Sequence, residues 1–286
     1  MMGPWFDRRR VIAALAASPL AFGRLAHAAA PWRWAVDYGA KTDPALARQF
    51  DLLVLEPDHA RPIEALRGPG AKLLGYLSLG EVEQARPYVG RLRKAGALIA
   101  ANPNWPDARM VDLRHALWTS LVVEEIIPAI LAKGYDGIFF DTLDNAEAMQ
   151  HADPVKMAGM VDAAAALVRA IRARFPPITL MMNRGYALLP AVAPHVDVVL
   201  GEAMASKWDF AKKAYVRTTP SDWEWQAARL REAKLANPAL RLTVLDYWDE
   251  ADRDTVAALY HCEREAGFHP YVATLALDRI HPELAA

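Results

Sequence analysis

Eight short apolar runs, each separated from the next by a stretch of helical character, set the frame for this chain. They occupy residues 34–38, 51–56, 72–78, 137–141, 178–183, 196–202, 242–247 and 271–277. Most are continuously apolar rather than alternating, the pattern of strands covered on both faces. The clearest helix between them carries Met157, Met160, Val161, Ala164, Leu167, Val168 and Ile171 on one stripe, with Arg169, Arg172 and Arg174 toward its C-terminal end. Ser221-Asp222-Trp223-Glu224 reads as a capping box opening a helix that stops before Pro238. Residues 116–132 read as helical despite Pro128, with Gly134 as the stop. Eight strands alternating with helices over about 250 residues predict the α/β class and a single-domain (β/α)8 TIM barrel. The competing architecture is an open doubly wound sheet, which carries a glycine-rich phosphate turn after its first strand. Here the first run continues as Gly39-Ala40-Lys41, which is no such turn.

The fold begins after residue 28. Arg8, Arg9 and Arg10, an apolar stretch from Val11 to Phe22, and Ala26-His27-Ala28 have the order of a cleavable export signal. The arginine pair ahead of a mild apolar stretch matches twin-arginine export, and a periplasmic or secreted protein is expected. Residues 29–286 then form the barrel domain. Removing residues 1–28 takes away four arginines and one aspartate, leaving 29 basic and 33 acidic side chains, a net −4. Without a basic excess, a nucleic-acid partner held through phosphates is not expected. No apolar run reaches the roughly 18 residues of a spanning helix. The single cysteine, Cys262, rules out an intrachain disulfide and a Cys-rich zinc site. Its place in a helical run, 255–266, suggests a small buried apolar residue.

Barrel enzymes keep their chemistry at the C-terminal ends of the strands. In this chain those ends read Asp37 and Tyr38; Glu56; Ser78 and Glu81; Asp141 and Asp144; Asn183 and Arg184; Glu202; Asp246 and Tyr247. Carboxylates dominate. Two carboxylates with separated pKa values suit glycoside hydrolysis, one protonating the leaving oxygen while the other attacks the anomeric carbon or activates water. Asp141 and Glu202 are the leading pair, because each ends an apolar run, Ile138-Phe139-Phe140 and Val198-Val199-Leu200-Gly201, and burying a carboxylate there is costly without a use. The remaining acids have structural readings beside the functional one: Asp144 as a helix cap, Asp37 and Asp246 as turn or loop supports, Glu81 as a solvated loop residue. Other chemistries lack their marks. No HxH or HExxH spacing supports a metal site, no GxSxG a nucleophile elbow, no Walker motif a nucleotide, and no strand-end lysine a Schiff base. Neither cofactor nor metal is implied. Trp34, Tyr38, Trp105, Trp208, Tyr247 and Trp248 fall near the expected mouth as aromatic surfaces for sugar.

Several separated segments resemble glycoside hydrolase family 114. They are residues 50–59 and Gly75-Tyr76-Leu77-Ser78-Leu79-Gly80-Glu81; Asn102-Pro103-Asn104-Trp105-Pro106 followed by Val111-Asp112-Leu113-Arg114; residues 134–144; Met182-Asn183-Arg184-Gly185-Tyr186; and residues 196–202. Residues 134–144 are similar to hydrolase domains acting on Pel polysaccharide. The resemblance implies a (β/α)8 endo-α-1,4-polygalactosaminidase of microbial (biofilm) matrices, with catalytic carboxylates at Asp141 and Glu202. Its substrate would be a cationic, galactosamine-rich polysaccharide drawn to an acid-lined cleft. Two departures stand out: Asp141-Thr142-Leu143-Asp144 where better-described members have Asp-Asn-Val-Asp, and Glu202-Ala203 where Glu-Ser is usual. By analogy with other α-glycosidase barrels, Asp141 is expected as nucleophile and Glu202 as acid/base. Asp37, Tyr38, Glu56, Ser78, Glu81, Asp144, Asn183, Arg184 and Tyr247 are expected to position sugar. The reading from another class is a catalytically silent barrel that binds a matrix polysaccharide.

Overall fold

A computed structural model describes residues 31–59, 62–103 and 105–283. The export signal read in residues 1–28 lies outside them. Eight parallel strands follow one another around a nearly closed barrel: β1 Trp34–Asp37, β2 Leu52–Leu55, β3 Lys72–Ser78, β4 Gly137–Asp141, β5 Thr179–Asn183, β6 Val198–Glu202, β7 Arg241–Tyr247 and β8 His269–Ala273. Each pairs in parallel with the next in sequence from β1 to β8. At the seam the Trp34 indole donates to the His269 carbonyl at 2.9 Å, and the Tyr38 amide to the Leu277 carbonyl at 2.7 Å. The (β/α)8 reading therefore holds and the open doubly wound sheet does not.

The apolar runs became strands because both of their faces are covered. Leu53, Val54, Phe140, Leu180 and Val199 are fully buried, each such side chain contributing about 1.5–3 kcal/mol on leaving water. β4 and β5 approach so closely that a Cβ on Gly137 would lie 1.9 Å from the Thr179 carbonyl oxygen, so this position admits only glycine. Strand eight starts two residues earlier than the sequence suggests and ends at Ala273. Pro270 stands opposite Val244 and the parallel register runs through it.

The helices follow expectation with local corrections. The striped helix is Met160–Arg174, entered through Gly159 at φ 82°. Residues 116–131 form Ala116–Leu121, a π-helical turn Val122–Ile126, and Ile127–Leu131, so the chain takes up the missing N–H of Pro128 by widening rather than breaking. Thr219, not Ser221, caps helix Pro220–Ala236, accepting from the Asp222 amide at 3.1 Å; Pro220 at the first position moves the start back. Cys262 is exposed, contrary to the buried reading. Helix Arg253–Glu265 turns Val256, Leu259, Tyr260 and Glu263 inward, a spacing that leaves Cys262 off the buried stripe.

Two insertions were not legible as elements. After β3 the chain forms a three-stranded antiparallel sheet, Glu81–Glu83, Leu98–Ala101 and Ala108–Val111, with helix Val89–Ala95 between the first two strands. After β6 it forms the hairpin Ser206–Asp209 with Ala214–Arg217. No helix among the described residues is long and apolar enough to cross a membrane.

Candidate active site

A cleft of about 730 Å³ opens at the C-terminal end of the barrel and is lined by both Asp141 and Glu202. That volume lies in the ordinary range for small-molecule and sugar sites. A smaller cavity of about 370 Å³ adjoins it on the side of Arg86 and Tyr88, away from the two carboxylates.

Register brings the acids together. Asp141 ends β4, Asn183 ends β5 and Glu202 ends β6, three neighbouring strands. The Asn183 side-chain nitrogen donates to Asp141 Oδ1 at 2.9 Å and to Glu202 Oε2 at 2.6 Å. One amide thus spends both of its N–H groups on the two acids. Those two distances sum to 5.5 Å, the most that can separate the two oxygens, and with N–H directions about 120° apart the gap is about 4.8 Å. Tyr76 donates to Asp141 Oδ2 at 2.9 Å, the Thr142 amide to Asp141 Oδ1 at 2.8 Å, and Tyr247 to Glu202 Oε1 at 2.5 Å.

Burial, and after it the nearby Glu202 charge, raises the Asp141 carboxyl to about 6, against the pull of Asn183 and Tyr76. The tyrosines Tyr38, Tyr76 and Tyr247 are pushed well above their ordinary value, first by burial and then by the carboxylates, so they remain donors. Burial also raises Asp144, opposed by Arg184, whose Nη1 lies 3.5 Å from Asp144 Oδ2. Asp144 sits at the start of helix Asn145–Ala152 without making a cap bond, so its carboxylate faces the cleft and Arg184 instead.

The other expected positions divide. Tyr38, Ser78, Glu81, Asp144, Asn183, Arg184 and Tyr247 all line the cleft. Ser78 bonds Thr142 Oγ1 at 2.7 Å, and Glu81 accepts from Asn102 at 2.7 Å and Asn145 at 2.5 Å, so both also brace loops. Asp37 and Glu56 are not among the lining residues. Asp37 is fully buried, accepting from the Gly39 amide and the Thr42 hydroxyl at 2.7 Å each, because the turn after β1 needs an acceptor beneath it. Glu56 is tied to Arg86 at 3.0 Å. Asp246 is a loop support, taking the Ala205 and Ser206 amides at 2.7 Å. The sequence reading missed Tyr76 and Thr142. Tyr76 was recoverable, since it stands two residues before Ser78 on the same face of β3. Thr142 acts through a backbone geometry that no side-chain pattern displays.

Fold and site together define a glycoside hydrolase barrel: paired carboxylates at strand ends, held at a fixed gap inside a cleft. The sequence model of glycoside-hydrolase family GH114 matches residues 14–284, and the chain belongs to that family. Among solved structures, it is similar to the glycoside hydrolase domain of PelA from Pseudomonas aeruginosa, at 26% identity and a TM-score of 0.76, covering 87% of this chain and 99% of that one. It shares its fold with Aspergillus fumigatus Ega3, solved in complex with galactosamine, at 14% identity and a TM-score of 0.64, covering 87% and 93%. An α-galactosidase from Thermus thermophilus in complex with stachyose has the same fold more distantly, at 14% identity and a TM-score of 0.53, covering 88% and 63%. No curated protein sequence matches this chain.

Proposed function

We propose that this chain is an exported hydrolase that cleaves α-1,4-linked galactosamine or N-acetylgalactosamine polysaccharide through Asp141 and Glu202. The observation that carries the mechanism is the Asn183 amide shared between the two acids. A gap near 5 Å suits a retaining enzyme, whose second carboxylate attacks carbon directly; an inverting pair stands about 6.5–9.5 Å apart to admit a water. Asp141 accepts three donors, including a backbone amide, whereas Glu202 accepts two. Burial and the Glu202 charge outweigh those donors at Asp141, so the division of roles, Asp141 as nucleophile and Glu202 as acid/base, rests on the analogy with other α-glycosidase barrels.

In the first step an Asp141 oxygen bonds to the anomeric carbon. The glycosidic C–O bond breaks, and Glu202 gives its proton to the departing oxygen. Water then attacks the glycosyl–Asp141 ester, Glu202 takes its proton, and Asp141 leaves as carboxylate. The acid-rich rim suits a substrate bearing free amines. The family and the galactosamine found in Ega3 support the substrate class.

The deciding experiment digests partially deacetylated α-1,4-galactosamine polymer and follows fragment masses and new reducing ends. Asp141→Asn and Glu202→Gln are each expected to lose turnover while still retaining polymer. A substrate with a good leaving group should partly bypass the Glu202 defect but not the Asp141 defect. Polymer held uncut by the wild type would replace the hydrolase with a binding barrel. Near-normal rates for both variants would remove the carboxylate pair. For export, mature protein recovered outside the cytoplasm should begin at or near Ala29, and replacing Arg9 and Arg10 with lysine should block the twin-arginine route. Uncleaved, active cytoplasmic protein in the native host would contradict export.

A further inference from the structure

Two aromatic side chains stand exposed at the cleft mouth. Trp105 is 55% exposed and Phe210 50%. Trp105 lies in the turn between the insertion strands Leu98–Ala101 and Ala108–Val111, and Phe210 at the tip of the hairpin after β6. Their rings meet edge to face, centroids 6.2 Å apart at 90°. Both line the same cleft as Asp141 and Glu202. One insertion leaves β3 and the other β6, with β4 and β5 between them, so the contact joins two sides of the mouth across the strands that carry Asp141 and Asn183.

The exposure does not come from slack loops. The Trp105 carbonyl accepts the Ala108 amide at 2.8 Å, and Asn102 Oδ1 accepts the Trp105 amide at 3.3 Å. Beside Phe210, Asp209 Oδ1 takes the Ala211 and Lys212 amides at 3.0 Å each. Lower in that hairpin Trp208 packs on Tyr215, centroids 4.9 Å apart. Two braced tips therefore hold two large apolar rings in water, at a cost of exposed hydrophobic area that only a ligand would recover. Neither insertion contributes a strand to the barrel.

We propose that Trp105 and Phe210 form an arch that grips a sugar ring of the polymer flanking the one being cleaved. Aromatic faces suit this occupant twice over: the apolar C–H face of a pyranose packs on them, and the ammonium of an unacetylated aminosugar is drawn to the ring quadrupole. Asp107 lines the cleft too and offers a carboxylate to the same amine. The proposal deepens, and rests on, the galactosamine-polymer reading. It makes the enzyme sensitive to chain length, because a short oligomer that fills only the catalytic position never reaches the arch.

The test uses size-fractionated α-1,4-galactosamine oligomers with wild type, Trp105→Ala, Phe210→Ala and Trp105→Phe. Both rings are exposed, so thermal midpoints should match the wild type. For long oligomers each alanine variant should raise KM roughly tenfold with kcat little changed. On the shortest oligomer cleaved the difference should vanish, and Trp105→Phe should recover most of the loss. The same rings are removed in an Asp141→Asn background, where calorimetric affinity for long oligomers should fall roughly tenfold. Equal KM at every length, or equal affinity in that background, overturns the arch. Failure of the wild type to cut any oligomer counts instead against the hydrolase reading, and the affinity comparison still decides the arch.

Discussion

Replacing Asn183 with alanine tests the site at its most constrained point. The side chain is 6% exposed and donates one N–H to each acid. Each is a charge-assisted bond of the kind worth about 1.5–3 kcal/mol. Only the part that strengthens toward the transition state affects turnover. Losing the fixed gap as well, the variant should fall about 10²-fold in kcat, near 2.7 kcal/mol. A second consequence follows from charge. Asn183 lowers the Asp141 pKa, whereas burial and Glu202 raise it to about 6. Without the amide the raising influences go less opposed, so Asp141 ionises at higher pH. The acid limb of kcat/KM, expected near pH 6 in the wild type, should move upward, and the variant's deficit should deepen as pH falls. A full pH–rate profile on galactosamine oligomers, with thermal midpoints as a folding control, measures both effects. A folded Asn183→Ala enzyme with kcat within threefold of wild type and an unmoved acid limb would falsify the shared-amide argument.

Tyr247→Phe removes the hydroxyl that bonds Glu202 Oε1 and keeps the buried ring, so kcat should drop about tenfold with little change in thermal midpoint. Gly137→Ala drives a Cβ to 1.9 Å from the Thr179 carbonyl oxygen, so scanning calorimetry should show a loss of about 3 kcal/mol, roughly 10 °C in midpoint; an unchanged midpoint would contradict the β4–β5 contact. Glu263 is fully buried, takes the Trp223 indole N–H at 2.7 Å on one oxygen and has no partner on the other; burial, then the Asp246 charge, raises it to about 8. Because its folded pKa exceeds the unfolded value of about 4.3, the native state holds an extra proton between those limits and loses stability as pH rises through them. Glu263→Gln should thus gain on wild type by a few kcal/mol at pH 8 and by almost nothing at pH 4; a gain independent of pH would refute the buried-acid account.

How much of this was legible in the sequence depended on the kind of information each feature carries. Continuous apolar runs such as 137–140 announce strands covered on both faces, and eight of them fix the barrel. Asp141 and Glu202 were legible for the same reason, as charges ending runs where charge is costly. The insertions were not. Strands Glu81–Glu83 and Ser206–Asp209 are short, largely polar and lie outside the barrel, so no core pattern marks them. Asp37 and Asp246 show the limit at single residues. Both are fully buried acids at or next to a strand end, yet they serve the loops: Asp37 accepts from Gly39 and Thr42, and Asp246 turns Oδ1 to the Ala205 and Ser206 amides while its Oδ2 is buried without a partner. Composition places a carboxylate at a strand end, but which way it turns is settled by the loop that follows.

That loop geometry explains why the three central side chains converge. Thr142, Arg184 and Ala203 immediately follow Asp141, Asn183 and Glu202, and all three are in the left-handed region, at φ 63°, 50° and 56°. They are three of the five non-glycine residues with positive φ among the described residues. Each costs roughly 1 kcal/mol or more, and Thr142, being β-branched, is the most strained. The surroundings hold them there. The Arg184 and Ala203 amides bond the Leu200 and Leu245 carbonyls of the adjacent strands at 2.8 Å, and the Thr142 hydroxyl meets Ser78 and the Gly80 amide. The effect is to keep β4, β5 and β6 extended through their last residue and then turn the chain sharply aside. The final side chain of each strand is left lining the cleft. Glycine at these positions would relieve the strain, but it would also free the turn, and Thr142 and Arg184 would lose the contacts to Ser78 and Asp144 that their side chains make. Strain at three consecutive strand ends is thus the structural source of a carboxylate gap that one amide is able to span.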